Sequence, residues 1–132
     1  MPAVIEQEIV FPGVSAAELF GIYMTPERHS AAIQSEAKVS AEPGSAFTAF
    51  GENGLSGRML HVDPGRAVVQ TWRANVWDRG DADSILILNF IDQANGGAIR
   101  LVHANVPDQH RDHIAQGWDR MYWQRWRDHL GN

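Results

Sequence analysis

The sequence predicts an α+β fold, a curved antiparallel sheet of about seven strands against one long C-terminal helix. Three observations predict it. Short alternating apolar and polar runs are separated by Gly, Pro and Asn, the punctuation of an antiparallel meander. The segment Asp108–Leu130 has no proline and holds Trp118, Trp123 and Trp126, three of the five tryptophans. The 132 residues suit one domain, 1–132, which at this length buries roughly two thirds of its unfolded surface. An aromatic-rich terminal helix must cover something large, and a gap between it and the sheet would be a binding cavity.

The first strand spans Val4–Phe11. Ser15 opens a helix that runs through Leu19 to Met24, with Ser15 as cap, Glu18 completing a capping box and Val14 stapled to Leu19. Thr25-Pro26-Glu27 starts a second helix of one or two turns, with Thr25 as cap and Pro26 in the first turn. Six strands follow, at 36–41, 45–50, 55–62, 67–77, 84–92 and 98–106. Asn53-Gly54 and Asn95-Gly96 suit tight hairpin turns that need positive φ. Asp63-Pro64-Gly65-Arg66 suits a type II turn. Pro107 closes the last strand, and Asp108 is placed to cap the terminal helix.

Composition narrows the function classes. There is no cysteine, so there is no disulfide framework, thiolate nucleophile or Cys-ligated zinc. The N-terminus lacks the basic head and apolar stretch of a secretory signal. No apolar run approaches the ~20 residues of a membrane span, so a soluble cytoplasmic protein without a membrane partner is the expectation. A net charge of −5 and a pI of about 5.6 do not give the basic footprint of a nucleic-acid binder.

Side chains alternate along a strand. Val68, Gln70, Trp72, Ala74 and Val76 share one face of the fifth strand, and Val69, Thr71, Arg73, Asn75 and Trp77 share the other. In the last strand Ile99, Leu101, His103 and Asn105 oppose Arg100 and Val102. The faces carrying Trp72, Leu101 and His103 are expected to meet the helix, and those carrying Arg73 and Arg100 to face outward. Ile85–Ile91 is apolar on both faces, which suits an interior strand or a homodimer surface. On the terminal helix, Ile114, Gly117, Trp118, Met121, Tyr122, Arg125 and Trp126 form one stripe. Gly117 in a helix interior suggests a close approach or a bend.

Several of these residues carry a family resemblance. They are Thr25-Pro26-Glu27, Pro43-Gly44-Ser45-Ala46-Phe47, and Gly57 followed by Asp63-Pro64-Gly65-Arg66. More specific are Val69-Gln70-Thr71-Trp72-Arg73 with Trp77, Leu101-Val102-His103 through Pro107, and Gly117-Trp118 with Tyr122-Trp123. In order and spacing the chain resembles the activator of heat-shock protein 90 ATPase homologue-like family, within the START-like SRPBCC superfamily. The resemblance covers nearly the whole chain. It implies a helix-grip fold, in which the sheet grips the terminal helix around an apolar cavity. Ser45 departs from the Gly-Gly that many relatives place before the Phe. The larger eukaryotic activators add a separate chaperone-binding N-terminal domain, for which this chain has no room.

Candidate chemistry is sparse. His110 and His113 lie three apart with Asp108 and Asp112 nearby, but no third zinc ligand is nominated, and exposed helix-start residues are the simpler reading. Asp78, Asp81 and Asp83 cluster in one loop that does not match an EF-hand, so a solvated turn is favoured over calcium. Arg73 is read as a solvated arginine beside a partly covered Trp77. No nucleophile elbow, Walker loop or dinucleotide fingerprint occurs, so the sequence names no catalytic residue, cofactor or metal. His103 can meet a ligand, or can be hydrogen-bonded inside the cavity wall. Gln70 and Asn89 are placed as inner-face polar contacts.

The sequence thus favours non-enzymatic binding of an apolar or amphipathic small molecule, lined by Gln70, Trp72, Leu101, His103, Trp118, Met121 and Tyr122. A second reading is a stress-related protein-interaction module of the chaperone-activator kind, with Trp77 and Trp123 as an exposed patch. A third is a cyclase- or hydrolase-like enzyme using His103 as acid or base. Fold alone does not choose among them.

Overall fold

In the computed structural model, which describes residues Met1–Asn132, the first strand and the last are neighbours. β1 (Ala3–Pro12) leads into two helices, α1 (Ala16–Met24) and α2 (Pro26–Ile33). β2 (Ala37–Lys38), β3 (Ala46–Ala49), β4 (Leu55–Asp63), β5 (Ala67–Ala74), β6 (Ser84–Gln93) and β7 (Gly96–Val106) follow. All seven strands form one antiparallel sheet in the order β1-β7-β6-β5-β4-β3-β2. The strands from β2 onward are therefore consecutive hairpins. β1 returns to pair with β7, Ile5 opposite His103 and Pro12 opposite Gly96. Irregularities in register at Met59/His61 and at Ala3/Ile5 bend the sheet.

The inner face is the alternating set that the sequence marks. Val68, Gln70, Trp72 and Ala74 of β5 are buried, as are Leu86, Leu88 and Phe90 of β6 and Ile99, Leu101 and His103 of β7. The alternation stops in two places. β5 ends at Ala74, so Val76 is exposed and Trp77 turns inward. Asn105 takes a left-handed φ of 61°, which leaves it exposed and sends Val106 into the core. Asn89 faces outward beside Arg100, its partner on β7, rather than inward.

Ser15 caps α1 through a 3.1 Å bond from the Glu18 N–H to its Oγ. Thr25 precedes α2 without a side-chain cap, and Pro26 holds the first turn. Gly65, at φ 75°, completes the turn after Asp63-Pro64, closed by a 2.9 Å bond from Arg66 N–H to Asp63 C=O. The loop from β3 to β4 differs from the expected Asn-Gly turn. Its left-handed residues are Phe50 (φ 59°) and Gly51 (φ 81°), and Gly54 is needed because a Cβ there would meet the Phe50 carbonyl at 2.6 Å.

The terminal segment is not one α-helix. A 3₁₀ turn, Asp108–His110, precedes α3 (Arg111–Gly117), a π-helical stretch (Trp118–Trp123) and α4 (Gln124–Leu130). Asp108 lies inside the first turn and does not cap. The π geometry has a cause in the sequence. The inward residues Ile114, Trp118, Tyr122 and Trp126 repeat every fourth position, and such a repeat drifts by about 40° per step on a helix of 3.6 residues per turn. The wider turn, with Gln124 N–H reaching back to Asp119 C=O, takes up that drift and brings Trp123 inward as well. Gly117 starts this bend but makes no close approach, since nothing lies within 4 Å of a Cβ placed there.

Candidate functional site

A cavity of about 460 Å³ lies between the terminal helix and one end of the sheet. β5 contributes Trp72 and Ala74, the β3–β4 loop contributes Phe50, Asn53 and Gly54, and β4 begins with Leu55. Asn75, Val76 and the helix residues His113, Ile114, Gly117, Trp118, Met121 and Tyr122 complete the wall. Trp72, Ile114, Trp118 and Tyr122 are buried and form the floor, while Asn53, Asn75, His113 and Met121 are exposed and form the rim. No lining residue is Asp, Glu, Lys or Arg.

Two buried histidines hold the helix side of this cavity. His103 accepts at Nδ1 from the Trp118 indole N–H at 3.0 Å. An indole only donates, so the proton of His103 sits on Nε2 and is given to Ser84 Oγ at 2.6 Å. Ser84 in turn donates to the Trp72 carbonyl at 2.9 Å. His29, on α2, has the opposite tautomer. Its Nδ1–H is given to the Tyr23 carbonyl at 2.7 Å, so Nε2 accepts from the Tyr122 hydroxyl at 2.9 Å. Burial disfavours the imidazolium at both sites and pushes the pKa to about 3 for His103 and about 4 for His29. Burial likewise raises the Tyr122 hydroxyl and, with the nearby Tyr122 charge as a lesser cause, that of Tyr23. Both tyrosines therefore stay neutral donors. Tyr23 donates to Gln70 Oε1 at 2.6 Å.

The far side of the helix is fixed by Gln7 of β1. Gln7 donates to the Ala115 carbonyl and accepts from the Trp123 indole, both at 3.1 Å. Aromatic packing continues inside, with Trp118 stacked on Trp123 at 5.6 Å and Trp126 tilted on Phe11 at 6.0 Å.

Of the residues expected to line a cavity, Trp72, Trp118, Met121 and Tyr122 border this one. Gln70, Leu101 and His103 sit behind that surface as fully or nearly fully buried wall residues. His103 has neither a free lone pair nor a spare proton for a substrate, because both nitrogens are engaged within the protein. Trp77 and Trp123 do not make an exposed patch: they are 6% and 2% exposed. Trp77 packs on Trp72 and stacks on His110 at 6.4 Å. Arg73 is not a solvated arginine but the organiser of the acidic loop. It donates to the carbonyls of Asp78 and Asp81 at 2.6 and 2.7 Å and pairs with Asp83 at 3.1 Å. Only Asp83 meets the guanidinium through its carboxylate; the Asp81 carboxylate instead accepts from the Asp78 N–H at 3.0 Å. His29, Ser84, Tyr23 and Phe50 are the contributors that sequence reasoning passed over. None of them is marked by a local pattern, since each lies on an element distant in sequence from the helix residues it supports.

Comparison with known proteins places this architecture. Residues 13–131 match the family described as Activator of Hsp90 ATPase homolog 1-like protein. A Dictyostelium discoideum protein described as an activator of 90 kDa heat shock protein ATPase homolog is 24% identical over 106 residues. That match covers 80% of this chain and 27% of the relative. An uncharacterized Schizosaccharomyces pombe protein is 28% identical, covering 83% of this chain and 32% of its own. The chain thus spans about a quarter to a third of the length of these relatives. Among solved structures, a Plasmodium falciparum HSP90 activator superposes with a TM-score of 0.82 at 21% identity, covering 99% of this chain and 96% of that one. A putative protein of the dynemicin biosynthetic locus gives 0.79 at 13% identity, covering 98% and 47%. These likenesses establish the helix-grip fold of the SRPBCC superfamily.

Proposed function

This chain belongs to the family of Activator of Hsp90 ATPase homolog 1-like proteins, and we propose that it binds an apolar or amphipathic small molecule in the cavity between the terminal helix and the sheet. The observation that carries the reading is the lining: nine of its fourteen residues are hydrophobic, around about 460 Å³ of space. Affinity comes from apolar burial, at about 25 cal/mol per Å² before ordering costs. Met121, flexible and 37% exposed at the rim, lets the mouth adapt to the ligand. The test is native mass spectrometry of gently purified protein, followed by organic extraction of whatever is released. A discrete small molecule carried by the wild type and lost in Met121→Trp, a substitution at the exposed rim that narrows the mouth, supports the reading. A wild type that never carries or takes up an apolar compound removes it.

A second reading draws on the relatives. The Dictyostelium and Plasmodium proteins are described as activators of the 90 kDa heat-shock protein, and the second matches almost end to end. In that reading this chain is a protein-interaction module for a chaperone ATPase. Its contact surface is not the Trp77/Trp123 pair, which is buried. Adding the purified chain to the chaperone and following ATP turnover decides it: an unchanged rate and no co-elution end this reading.

A further inference from the structure

The composition of the cavity specifies more than hydrophobicity. This inference rests on the small-molecule reading above and concerns the class of molecule. The floor presents three buried aromatic side chains, Trp72, Trp118 and Tyr122, with Phe50 half-buried above them. Aromatic side chains at this density favour a planar aromatic guest. The polar hydrogens of the floor are spoken for. Tyr122 gives its hydroxyl proton to His29 and Trp118 gives its N–H to His103. The Trp72 indole N–H has no partner, but it is buried out of contact with the cavity space.

A charged group carried to the floor would find no Asp, Glu, Lys or Arg among the lining residues, and the one lining histidine, His113, is exposed at the rim. Desolvating a carboxylate or an ammonium without a partner is the most costly event such a site can impose, so charged guests are selected against.

The rim is different. Asn75, just beyond β5, donates its Nδ2 to the Asn53 carbonyl of the β3–β4 loop at 2.7 Å. That bond uses one of the two Nδ2 hydrogens and fixes the Asn75 amide, leaving Oδ1 to accept and the second N–H to donate. The polar group best met by that amide is therefore one that both donates and accepts, a hydroxyl rather than an ether. Phe50 is held in place beside it by its left-handed backbone, by an edge-on contact with Tyr122 at 5.9 Å and by the Arg125 guanidinium 5.8 Å from its ring. The pairing of an aromatic floor with a pre-set acceptor at the rim orients a guest ring-first.

We propose that the cavity takes an uncharged aromatic molecule with a hydroxyl at its outer end, its ring system on Trp72, Trp118 and Tyr122 and its hydroxyl donated to Asn75. Calorimetric titration of the full chain at pH 7 with three matched probes tests it: 2-naphthol, 2-methoxynaphthalene, which lacks the donor, and 2-naphthoate, which is charged. The expected order is 2-naphthol tightest, 2-methoxynaphthalene about three- to tenfold weaker for the loss of one hydrogen bond, and 2-naphthoate weaker than 2-naphthol by more than about tenfold. In Asn75→Leu the advantage of 2-naphthol over 2-methoxynaphthalene disappears while 2-methoxynaphthalene binds as before. If that variant does not fold, Asn75→Ala, which removes the amide without adding bulk, is expected to abolish the same advantage.

Equal binding of 2-naphthoate and 2-naphthol overturns the inference. So does a 2-naphthol preference that survives Asn75→Leu. If 1-dodecanol binds, is blocked by Met121→Trp, and no naphthalene binds, the aromatic class fails while the cavity reading stands. If none of these probes binds, both fail.

Discussion

The two histidine clamps do the same task with opposite chemistry. Each accepts a hydrogen bond from an aromatic residue of the π-helical stretch, His29 from Tyr122 and His103 from Trp118. Each donates its own N–H onward, His29 to a helix carbonyl and His103 to a serine that is itself tied to β5. The His103 clamp therefore links three strands to the helix, since Ser84 opens β6, Trp72 lies in β5 and His103 lies in β7. The His29 clamp links only α1 and α2 to it. An indole N–H is also fixed by its ring, whereas a phenolic O–H rotates to suit what is near. The sheet-side clamp is thus the rigid member of the pair, and the helix-side clamp the adaptable one.

The strongest way to break that comparison is to remove each imidazole while keeping volume. His103→Leu leaves the Trp118 N–H buried without an acceptor and takes a donor from Ser84, an expected cost of about 3 kcal/mol. His29→Leu leaves a rotatable hydroxyl and a carbonyl, an expected cost of about 2 kcal/mol. Urea unfolding with unchanged slopes measures both. Equal losses would mean that the rigidity of the donor does not matter here.

The pH dependence sharpens it. Both histidines are neutral when folded, with pKa values of about 3 and about 4, against 6.5 when unfolded. Below about pH 6.5 the unfolded chain binds protons that the folded chain refuses, so stability falls as pH drops. The loss continues to about pH 4 for His29 and about pH 3 for His103. Each contributes a slope of up to ~1.4 kcal/mol per pH unit inside its window. Either leucine variant should lose one such slope, read from unfolding curves between pH 4 and pH 6. A variant with the wild-type slope would show that its histidine is not held neutral.

A smaller effect separates the clamp from the cavity. Tyr122→Phe keeps the aromatic wall and deletes the hydroxyl given to His29. It is expected to cost about 1–2 kcal/mol in stability and to leave the affinity for an apolar guest unchanged. A parallel fall in affinity would place the hydroxyl against the ligand instead.

How much of this was legible follows from where each residue sits. Strand alternation puts Gln70, Trp72, Leu101 and His103 on the inner face, and the structure buries all four there. The same rule fails for Trp77 and Asn105, because a strand that ends at Ala74 and a left-handed residue in β7 each reset the phase. His29 was hidden for another reason. It lies in a helix of eight residues, where periodicity says little, and its partner Tyr122 is 93 positions away. Trp123 falls outside the face that a 3.6-residue period predicts, and the wider turn of the π-helical stretch brings it inward. The cavity itself is the least legible feature. Its rim depends on the Asn75–Asn53 contact between a strand end and a distant loop, which no local pattern encodes.

The smallest expected effect concerns that wider turn. Gly117 stands where α3 passes into the π-helical stretch, with φ −62° and ψ −40°, ordinary right-handed helical values. A Cβ there meets nothing within 4 Å, so neither backbone conformation nor close packing demands glycine. Gly117→Ala should therefore stabilise the fold, by about 0.5–1 kcal/mol, through the lower entropy of the unfolded chain. The added methyl group borders the cavity, of which Gly117 is a lining residue. If the glycine serves ligand access, Gly117→Ala raises stability and weakens uptake of a bulky guest together. If it serves the bend, stability falls instead, because alanine then favours continuing the tighter α-turn over the wide turn that seats Trp118 and Trp123. Thermal unfolding of the one variant, with and without an aromatic guest, distinguishes the two by sign.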